Sequence, residues 1–279
     1  MILEDTIKKA SSLLKYHNIP SYELDAQLIL SDILGVTKEF LIVNNQIKIN
    51  KKIRQKYDYA IKRRINKEPV AYIVGKKEFW SQNFLVNHST LVPRPETELL
   101  IYKIISFFKN KKINILDIGT GSGCILLSVL KELTYSQGVG IDISPKAIQI
   151  AKMNSKRLNL SHRSKFKVFG LNNFCIGKYE LIVSNPPYIP LKEIKNLSKD
   201  IINYEPLIAL NGGLDGLDLI KKIIYKSKYL LKRNGLLALE IGYGQYRKIS
   251  SILRRQKFRE IAKEYDNSSN VRCIISTKM

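Results

Sequence analysis

From residue 98 onward the chain alternates short apolar runs with amphipathic segments, and no other feature constrains its fold as strongly. Runs at 113–118, 139–143, 166–169, 181–184 and 236–241 read as strands. Ser128, Ala147 and Leu219 fall within the helices between them. Ser144-Pro145 is a strong helix start, an N-cap residue followed by proline at the first helical position. A last apolar run at 271–276 adds another strand. Strands separated by helices build a doubly wound α/β sheet, parallel because each helix carries the chain back to the same end of the sheet.

The first 73 residues have a different pattern. Leu24, Leu28, Ile29 and Ile33 recur at helical spacing after Pro20-Ser21, and Gly35 stops that helix. Ile53, Tyr57, Ile61 and Ile65 form a second stripe ending before Pro69. These stripes predict a small helical bundle over residues 1–73. Residues 74–96 read as a linking β-hairpin, with Ser81-Gln82-Asn83 as its polar turn and the only tryptophan, Trp80, beside it. Residues 97–279 then form the α/β domain.

Composition narrows the function classes. No apolar run approaches the roughly 18 residues that span a bilayer, and Met1-Ile2-Leu3-Glu4-Asp5 is acidic where a secretory leader is basic. No membrane partner and a cytoplasmic location are expected. Cys124, Cys175 and Cys273 match no metal or redox spacing and read as reduced packing residues, and His17, His88 and His162 are scattered. No metal and no Ser-His nucleophile is indicated. A formal net charge of +23 would suit nucleic acid or an acidic partner. Lysine is spread over nearly every segment, however, with only short clusters at Lys62-Arg63-Arg64 and Arg254-Arg255, so no specific nucleic-acid partner is expected.

Two motifs carry chemistry. Leu116-Asp117-Ile118-Gly119-Thr120-Gly121-Ser122-Gly123 joins the first strand of the sheet to a helix, with glycines at alternate positions that allow a tight turn and close approach to a ligand. Asp142 ends the next strand, 19 residues past Gly123, where a carboxylate can accept both hydroxyls of a ribose. Alone, such a loop marks a generic nucleotide site; the Gly-x-Gly-x-Gly spacing and preceding Asp117 are typical of S-adenosylmethionine sites. The second motif, Asn185-Pro186-Pro187-Tyr188, follows the run at 181–184. Each proline fixes its own φ and restricts the residue before it, so the Asn185 side chain and Pro186 carbonyl form a preset pair of acceptors beside an aromatic ring. Asn-Pro and Pro-Pro are also ordinary turn signals. The corner resembles that of methyltransferases acting on amino or amide nitrogens.

Over nearly its whole length the chain resembles the release factor glutamine methyltransferases, also called HemK or PrmC. Pro69-Val70-Ala71-Tyr72-Ile73-Val74-Gly75 with Glu78-Phe79-Trp80 is similar to the end of that family's helical domain. Leu91-Val92-Pro93-Arg94-Pro95-Glu96-Thr97-Glu98 resembles its linker signature. Tyr204-Glu205-Pro206, Ala209-Leu210 and Gly213-Leu214-Asp215-Gly216-Leu217 resemble the segment after its catalytic corner.

The resemblance implies a Rossmann-like S-adenosylmethionine-dependent methyltransferase sheet with an N-terminal helical domain that recognises the substrate. It implies methyl transfer to the side-chain amide nitrogen of the glutamine in the Gly-Gly-Gln loop of class I peptide chain release factors, with S-adenosylhomocysteine as product. Gly119, Thr120, Gly121, Ser122, Gly123, Asp142 and Asn185 would contact the cofactor, and Asn185, Pro186, Pro187 and Tyr188 the substrate. Asn185 Oδ1 and the Pro186 carbonyl would each accept one amide N–H, Tyr188 would stack on the amide, and no general base would be needed. A monomer is expected. Where relatives often carry an Asp-Trp pair, this chain has Leu171-Asn172-Asn173, so that adenine contact does not carry over. Two other functions fit parts of the pattern: an adenine methyltransferase acting on nucleic acid, and a non-catalytic RNA-binding module on the same fold.

Overall fold

The computed structural model describes residues 2–279, which divide into two compact units. One holds the chain up to Lys76 together with Ser198–Tyr204; the other holds Lys77–Leu197 and Glu205–Met279.

Helices α1 (Leu3–Tyr16), α2 (Tyr22–Leu34), α3 (Lys38–Val43), α4 (Lys51–Ile65) and α5 (Val70–Val74) build the first unit. Gly35 ends α2 in the left-handed conformation at φ 70°, a cost-free position only for glycine. The face that α2 buries differs from the predicted stripe: Asp25, Ala26, Ile29, Leu30 and Ser31 point inward, and Leu24 is 46% exposed. The reason is a buried ion pair. Asp25 Oδ2 accepts from Arg64 Nε of α4 at 2.7 Å and from Ser21 Oγ at 2.8 Å, while Arg64 Nη1 donates to the Glu68 carbonyl at 3.1 Å. Arg64 thus joins Tyr57, Ala60 and Ile61 on the inner face of α4, and Tyr57 donates its phenol proton to the Ala26 carbonyl at 3.0 Å. Tyr204, from the distant segment of this unit, donates to the Asn66 carbonyl at 2.9 Å.

The hairpin consists of β1 (Lys76–Phe79) and β2 (Gln82–Leu85). Its turn lies one residue earlier than predicted, because Trp80 and Ser81 take the two left-handed positions, φ 49° and 52°, and Gln82 and Asn83 already belong to the second strand. Two such residues in succession match the twist of a two-residue hairpin. Their strain is offset by anchoring: Trp80 N–H donates to Glu98 Oε1 at 2.7 Å and the indole N–H to Glu132 Oε1 at 2.8 Å. Phe79 and Phe84 pack into the core of the sheet unit, so residues 77–96 are part of that unit.

The remaining elements are α6 (Thr97–Phe108), β3 (Asn114–Ile118), α7 (Cys124–Glu132), β4 (Gln137–Asp142), α8 (Pro145–Arg157), β5 (Ser164–Val168), β6 (Tyr179–Ser184), α9 (Leu191–Ile194), α10 (Lys199–Tyr204), α11 (Asp218–Leu230), β7 (Leu231–Glu240), α12 (Tyr246–Arg255), β8 (Phe258–Tyr265) and β9 (Val271–Lys278). The described residues form a seven-stranded sheet in the order β5-β4-β3-β6-β7-β9-β8. Strands β3 to β7 are parallel, whereas β9 runs antiparallel to both β7 and β8, so the sheet is mixed. β8 has no counterpart in the sequence reading. Phe-Arg-Glu-Ile-Ala-Lys-Glu-Tyr buries only Phe258 fully, as suits an edge strand.

Period-two alternation distributes the strand residues between two cores. Ile115, Leu181, Val183, Leu236, Ala238 and Ile275 face the cluster built with α6, α7 and α8. Leu116, Ile118, Ile182, Leu237, Leu239 and Ile274 face the cluster built with α11 and α12. The three cysteines are free: Cys273 is buried as expected, while Cys175 is exposed and Cys124 only half-buried. No helix among the described residues is long and apolar enough to cross a membrane.

The Asp25–Arg64 pair generates a stability prediction. Asp25→Ala leaves a guanidinium buried without its counter-charge, with an expected cost of about 3 kcal/mol. Urea denaturation measures it, and Asp25→Asn, which keeps an acceptor, should lose less.

Candidate active site

Because β3 has β4 on one side and β6 on the other, the loops that follow these strands open onto one crevice at their C-terminal ends. A cavity of about 450 Å³ occupies it, the size range of small-molecule sites. Gly119, Thr120, Gly121, Ser122, Asp142, Asn185 and Pro187 all line it, so the structure brings together residues spread over 69 positions of sequence, from Gly119 to Pro187. Arg94 and Thr97 line it as well.

The glycines of the loop have different tasks. A Cβ on Gly119 or Gly121 would meet nothing within 4 Å, and both have positive φ, 72° and 55°, so they present bare backbone to open space. At Gly123, φ 80°, a Cβ would press on Leu127, Phe166 and Ala151 at 3.2–3.3 Å, so this glycine serves packing and does not line the cavity. The loop is held from below. Gly119 and Thr120 donate to the Ile141 carbonyl at 2.9 and 3.0 Å, and Thr120 Oγ1 donates to buried Asp117 Oδ2 at 2.6 Å. Asp142 Oδ2 accepts from Gly121 N–H at 3.0 Å and Oδ1 from Ser144 N–H at 2.9 Å. Each carboxylate oxygen keeps a lone pair for a ligand hydroxyl.

Asn154, which the sequence reading did not single out, ties three segments together. Its Nδ2 donates to the Ser122 and Leu85 carbonyls at 2.9 and 3.0 Å, and its Oδ1 accepts from Leu85 N–H at 2.7 Å. An asparagine on the buried face of α8 was the available signal.

At the second corner, Ser184 Oγ donates to the Ile118 carbonyl at 2.6 Å, fixing the end of β6 against the end of β3. Asn185 then faces the cavity, with its Nδ2 donating to Thr97 Oγ1 at 3.3 Å. Pro186 is buried and Tyr188 is not in the cavity wall. The Tyr188 ring packs against the core beneath α11 and α12, and its hydroxyl donates to Glu240 Oε1 at 3.3 Å. The expected stacking of Tyr188 on a substrate is therefore not what this arrangement offers; a buried carboxylate draws the phenol inward. At Leu171-Asn172-Asn173 the wall is apolar, formed by Leu171 with Phe169 and Ile143. Arg94 also lines the cavity, its Nη2 paired with Glu205 Oε1. Cys124 also lines the cavity; although the residue as a whole is half-buried, desolvation of its thiol pushes it up to about 12, which disfavours the thiolate. Among the described residues no His, Cys, Asp or Glu cluster is placed to hold a metal.

Comparison with known proteins gives two family matches: the PrmC N-terminal domain over residues 5–75 and the methyltransferase small domain over residues 95–213. A release factor glutamine methyltransferase of Buchnera aphidicola subsp. Schizaphis graminum is 40% identical over 272 residues, 98% of each chain. One from Clostridium acetobutylicum is 38% identical over 283 residues, covering 100% of this chain and 99% of its own. Among solved structures, a methyltransferase from Pyrococcus furiosus aligns with a TM-score of 0.54 at 14% identity, over 82% of this chain and 99% of that one, a likeness of fold.

Two buried carboxyls dominate the electrostatics of the site. Burial pushes Asp117 up to about 7 despite its bond from Thr120. It also pushes Glu240 up to about 7, against the bonds from Thr97 and Tyr188 that favour the anion. Between the ordinary carboxylate range and pH 7 the folded protein holds protons that the unfolded chain has released. Stability therefore falls as pH rises through that window, by on the order of 3 kcal/mol for a shift of this size. Glu240→Gln cannot ionise, so its urea-denaturation stability should fall less than wild type between pH 5 and 8, while the Asp117 contribution remains in both. Parallel pH profiles for the two proteins would contradict this.

Proposed function

This chain belongs to the release factor glutamine methyltransferase family, and from that membership we propose that it methylates the side-chain amide nitrogen of the glutamine in the Gly-Gly-Gln loop of class I peptide chain release factors. S-adenosylmethionine supplies the electrophilic methyl group. The observation that carries this reading is the single cavity lined both by Gly119–Gly121 with Asp142 and by Asn185. A nucleoside-type ligand and an amide can meet there.

The residues present suit that cofactor. Open space above Gly119 and Gly121 admits its backbone-hugging portion, Asp142 has lone pairs left for the ribose hydroxyls, and Ile143, Phe169 and Leu171 offer an apolar slot for the adenine. That slot stands in for the Asp-Trp contact this chain lacks. Thr120, Ser122 and Gly123 hold the loop in shape, and Arg94, paired with Glu205, also lines the cavity.

An amide nitrogen is a poor nucleophile because its lone pair is delocalised into the carbonyl. Asn185 Oδ1 and the Pro186 carbonyl accept its two N–H bonds and aim the nitrogen. As positive charge develops on it, both acceptors bind more strongly, which is the differential stabilisation that lowers a barrier. The alkylated nitrogen is acidic enough to release its proton to water. Pro187 closes the corner, and Tyr188 supports it from behind.

The helical unit would hold the release factor and supply binding energy that positions the reacting glutamine. The enzyme would act as a cytoplasmic monomer and without a specific nucleic-acid partner.

Removing the ribose acceptor in Asp142→Ala should weaken S-adenosylmethionine binding by roughly 1–3 kcal/mol; calorimetry measures it, and unchanged affinity would displace the cofactor from this cavity. Asn185→Ala should lower single-turnover rates by roughly two to three orders of magnitude. With tritiated cofactor at physiological salt, folded release factor should accept label far faster than a short Gly-Gly-Gln peptide, and double-stranded DNA should accept none. Label on DNA adenine would overturn the substrate assignment.

A further inference from the structure

Thr97 opens α6 and Glu240 closes β7, 143 positions apart, yet Thr97 Oγ1 donates to Glu240 Oε2 at 2.6 Å. Both side chains are buried, each residue only 2% exposed. The other carboxylate oxygen accepts from Tyr188. An ionised carboxylate only accepts, so the single hydroxyl proton of Thr97 is committed to Glu240, and Thr97 Oγ1 has only lone pairs for its next neighbour. That neighbour is Asn185 Nδ2, at 3.3 Å. Turning the Asn185 amide over would set Oδ1 against an oxygen with no proton to give, leaving two acceptors face to face, the Thr97 oxygen among them buried.

We propose that Thr97 and Glu240 are positioning residues that set the polarity of the substrate corner, holding the Asn185 amide with its nitrogen inward and its Oδ1 toward the cavity. The corner therefore accepts N–H bonds and is closed to a group that offers only acceptors. This rests on the reading of Asn185 as the acceptor for the glutamine amide. An asparagine has no preference of its own between its two orientations, since oxygen and nitrogen fill the same space. A threonine alone does not decide either, because a hydroxyl both donates and accepts. Direction enters the chain only at a group that cannot donate, and Glu240 is that group while it is ionised.

The device is consequently sensitive to pH. The groups facing Glu240 are Glu96 just before α6 and Thr97 at its start, Tyr188 beyond β6, Arg272 and Cys273 from β9, and Cys124 from α7. Burial pushes Tyr188 and both thiols upward, away from neutrality, and Arg272 is itself held by Asp266 at 2.7 Å. Protonated Glu240 could donate to Thr97, which would release the Thr97 proton toward Asn185 and remove the preference.

The test is steady-state methylation of release factor from pH 6 to 9 by wild type, Thr97→Val, Thr97→Ser and Glu240→Gln, with S-adenosylmethionine binding by calorimetry as the check that each is folded. Thr97→Val should lower kcat roughly 10- to 100-fold, the loss expected for one oriented hydrogen bond to developing charge, with KM for release factor and cofactor affinity near wild type. Thr97→Ser should recover most of that loss. Wild-type kcat should rise with pH through neutrality, and in both Thr97→Val and Glu240→Gln this rise should shrink to whatever part comes from Asp117, whose titration is common to all. Wild-type kcat in Thr97→Val, an effect on KM alone, or an undiminished pH step in the variants overturns the proposal. If Thr97→Val fails to bind cofactor, the pH profile of Glu240→Gln decides by the same criterion. Absence of methylation by wild type refutes the substrate assignment instead, a different result.

Discussion

Everything at the site depends on the reversal of strand order about β3. A strand with parallel neighbours on both sides, one reached early in the chain and the other late, leaves a crevice that no crossover covers. The loop after β3, Asp142 at the end of β4 and Asn185 after β6 have no other place to go. Short bonds then remove the remaining freedom: Ser184 to the Ile118 carbonyl, Gly119 and Thr120 to the Ile141 carbonyl, and Gly121 to Asp142. Asn185 cannot shift relative to Gly119 without breaking a buried hydrogen bond between adjacent strands. The proposed substrate and cofactor subsites would thus be registered by the same ladder that folds the sheet.

The second constraint is the expense of buried charge. Asp117 and Glu240 lie in apolar surroundings that raise both carboxyls to about 7. Neither is paired with a cation; their partners are hydroxyls, Thr97 with Tyr188 covering both oxygens of Glu240, whereas Thr120 covers only Oδ2 of Asp117 and leaves its Oδ1 buried without a partner. Hydroxyl partners stabilise an anion less than a salt bridge would, and they transmit direction, because a proton given to the carboxylate is no longer available elsewhere. In the helical unit the opposite solution appears. Asp25 meets Arg64 directly, and the pair turns α2 so that a carboxylate takes a core position while Leu24 is left exposed.

How much of this was legible in the sequence follows from the physics of each element. Strands covered on both faces are apolar throughout, so the runs around Leu116, Val139 and Ile182 stood out. β8 did not, because an edge strand that buries only Phe258 fully has no reason to be apolar. The hairpin turn was misplaced by one residue because Trp80-Ser81 carries none of the glycine or asparagine that marks such turns; anchoring to Glu98 and Glu132 holds it instead. The loop and Asn185 were found because their backbone demands leave glycines and prolines behind. Thr97, Asn154, Glu240 and the Asp25–Arg64 pair act through partners distant in sequence, and such contacts leave little local pattern. Besides the asparagine within α8, a lone acid ending the apolar run Leu236-Leu237-Ala238-Leu239 was the available hint.

The chemistry explains why the corner is assembled from three separate segments. A weak nucleophile cannot be activated by a strong base without deprotonating solvent-accessible groups of lower pKa first, so rate enhancement has to come from orientation and from acceptors that strengthen as charge develops. Orientation of a planar amide requires two acceptors in one plane, fixed relative to an electrophile bound on neighbouring strands. A side chain on a free loop would lose most of that advantage to its own rotamer entropy. Asn185 avoids this because proline follows it, Thr97 holds its nitrogen, and Glu240 holds Thr97. Rigidity is thereby supplied by α6, the end of β6 and the end of β7 together, and the reacting glutamine is the only member of the arrangement that has to be brought in from outside.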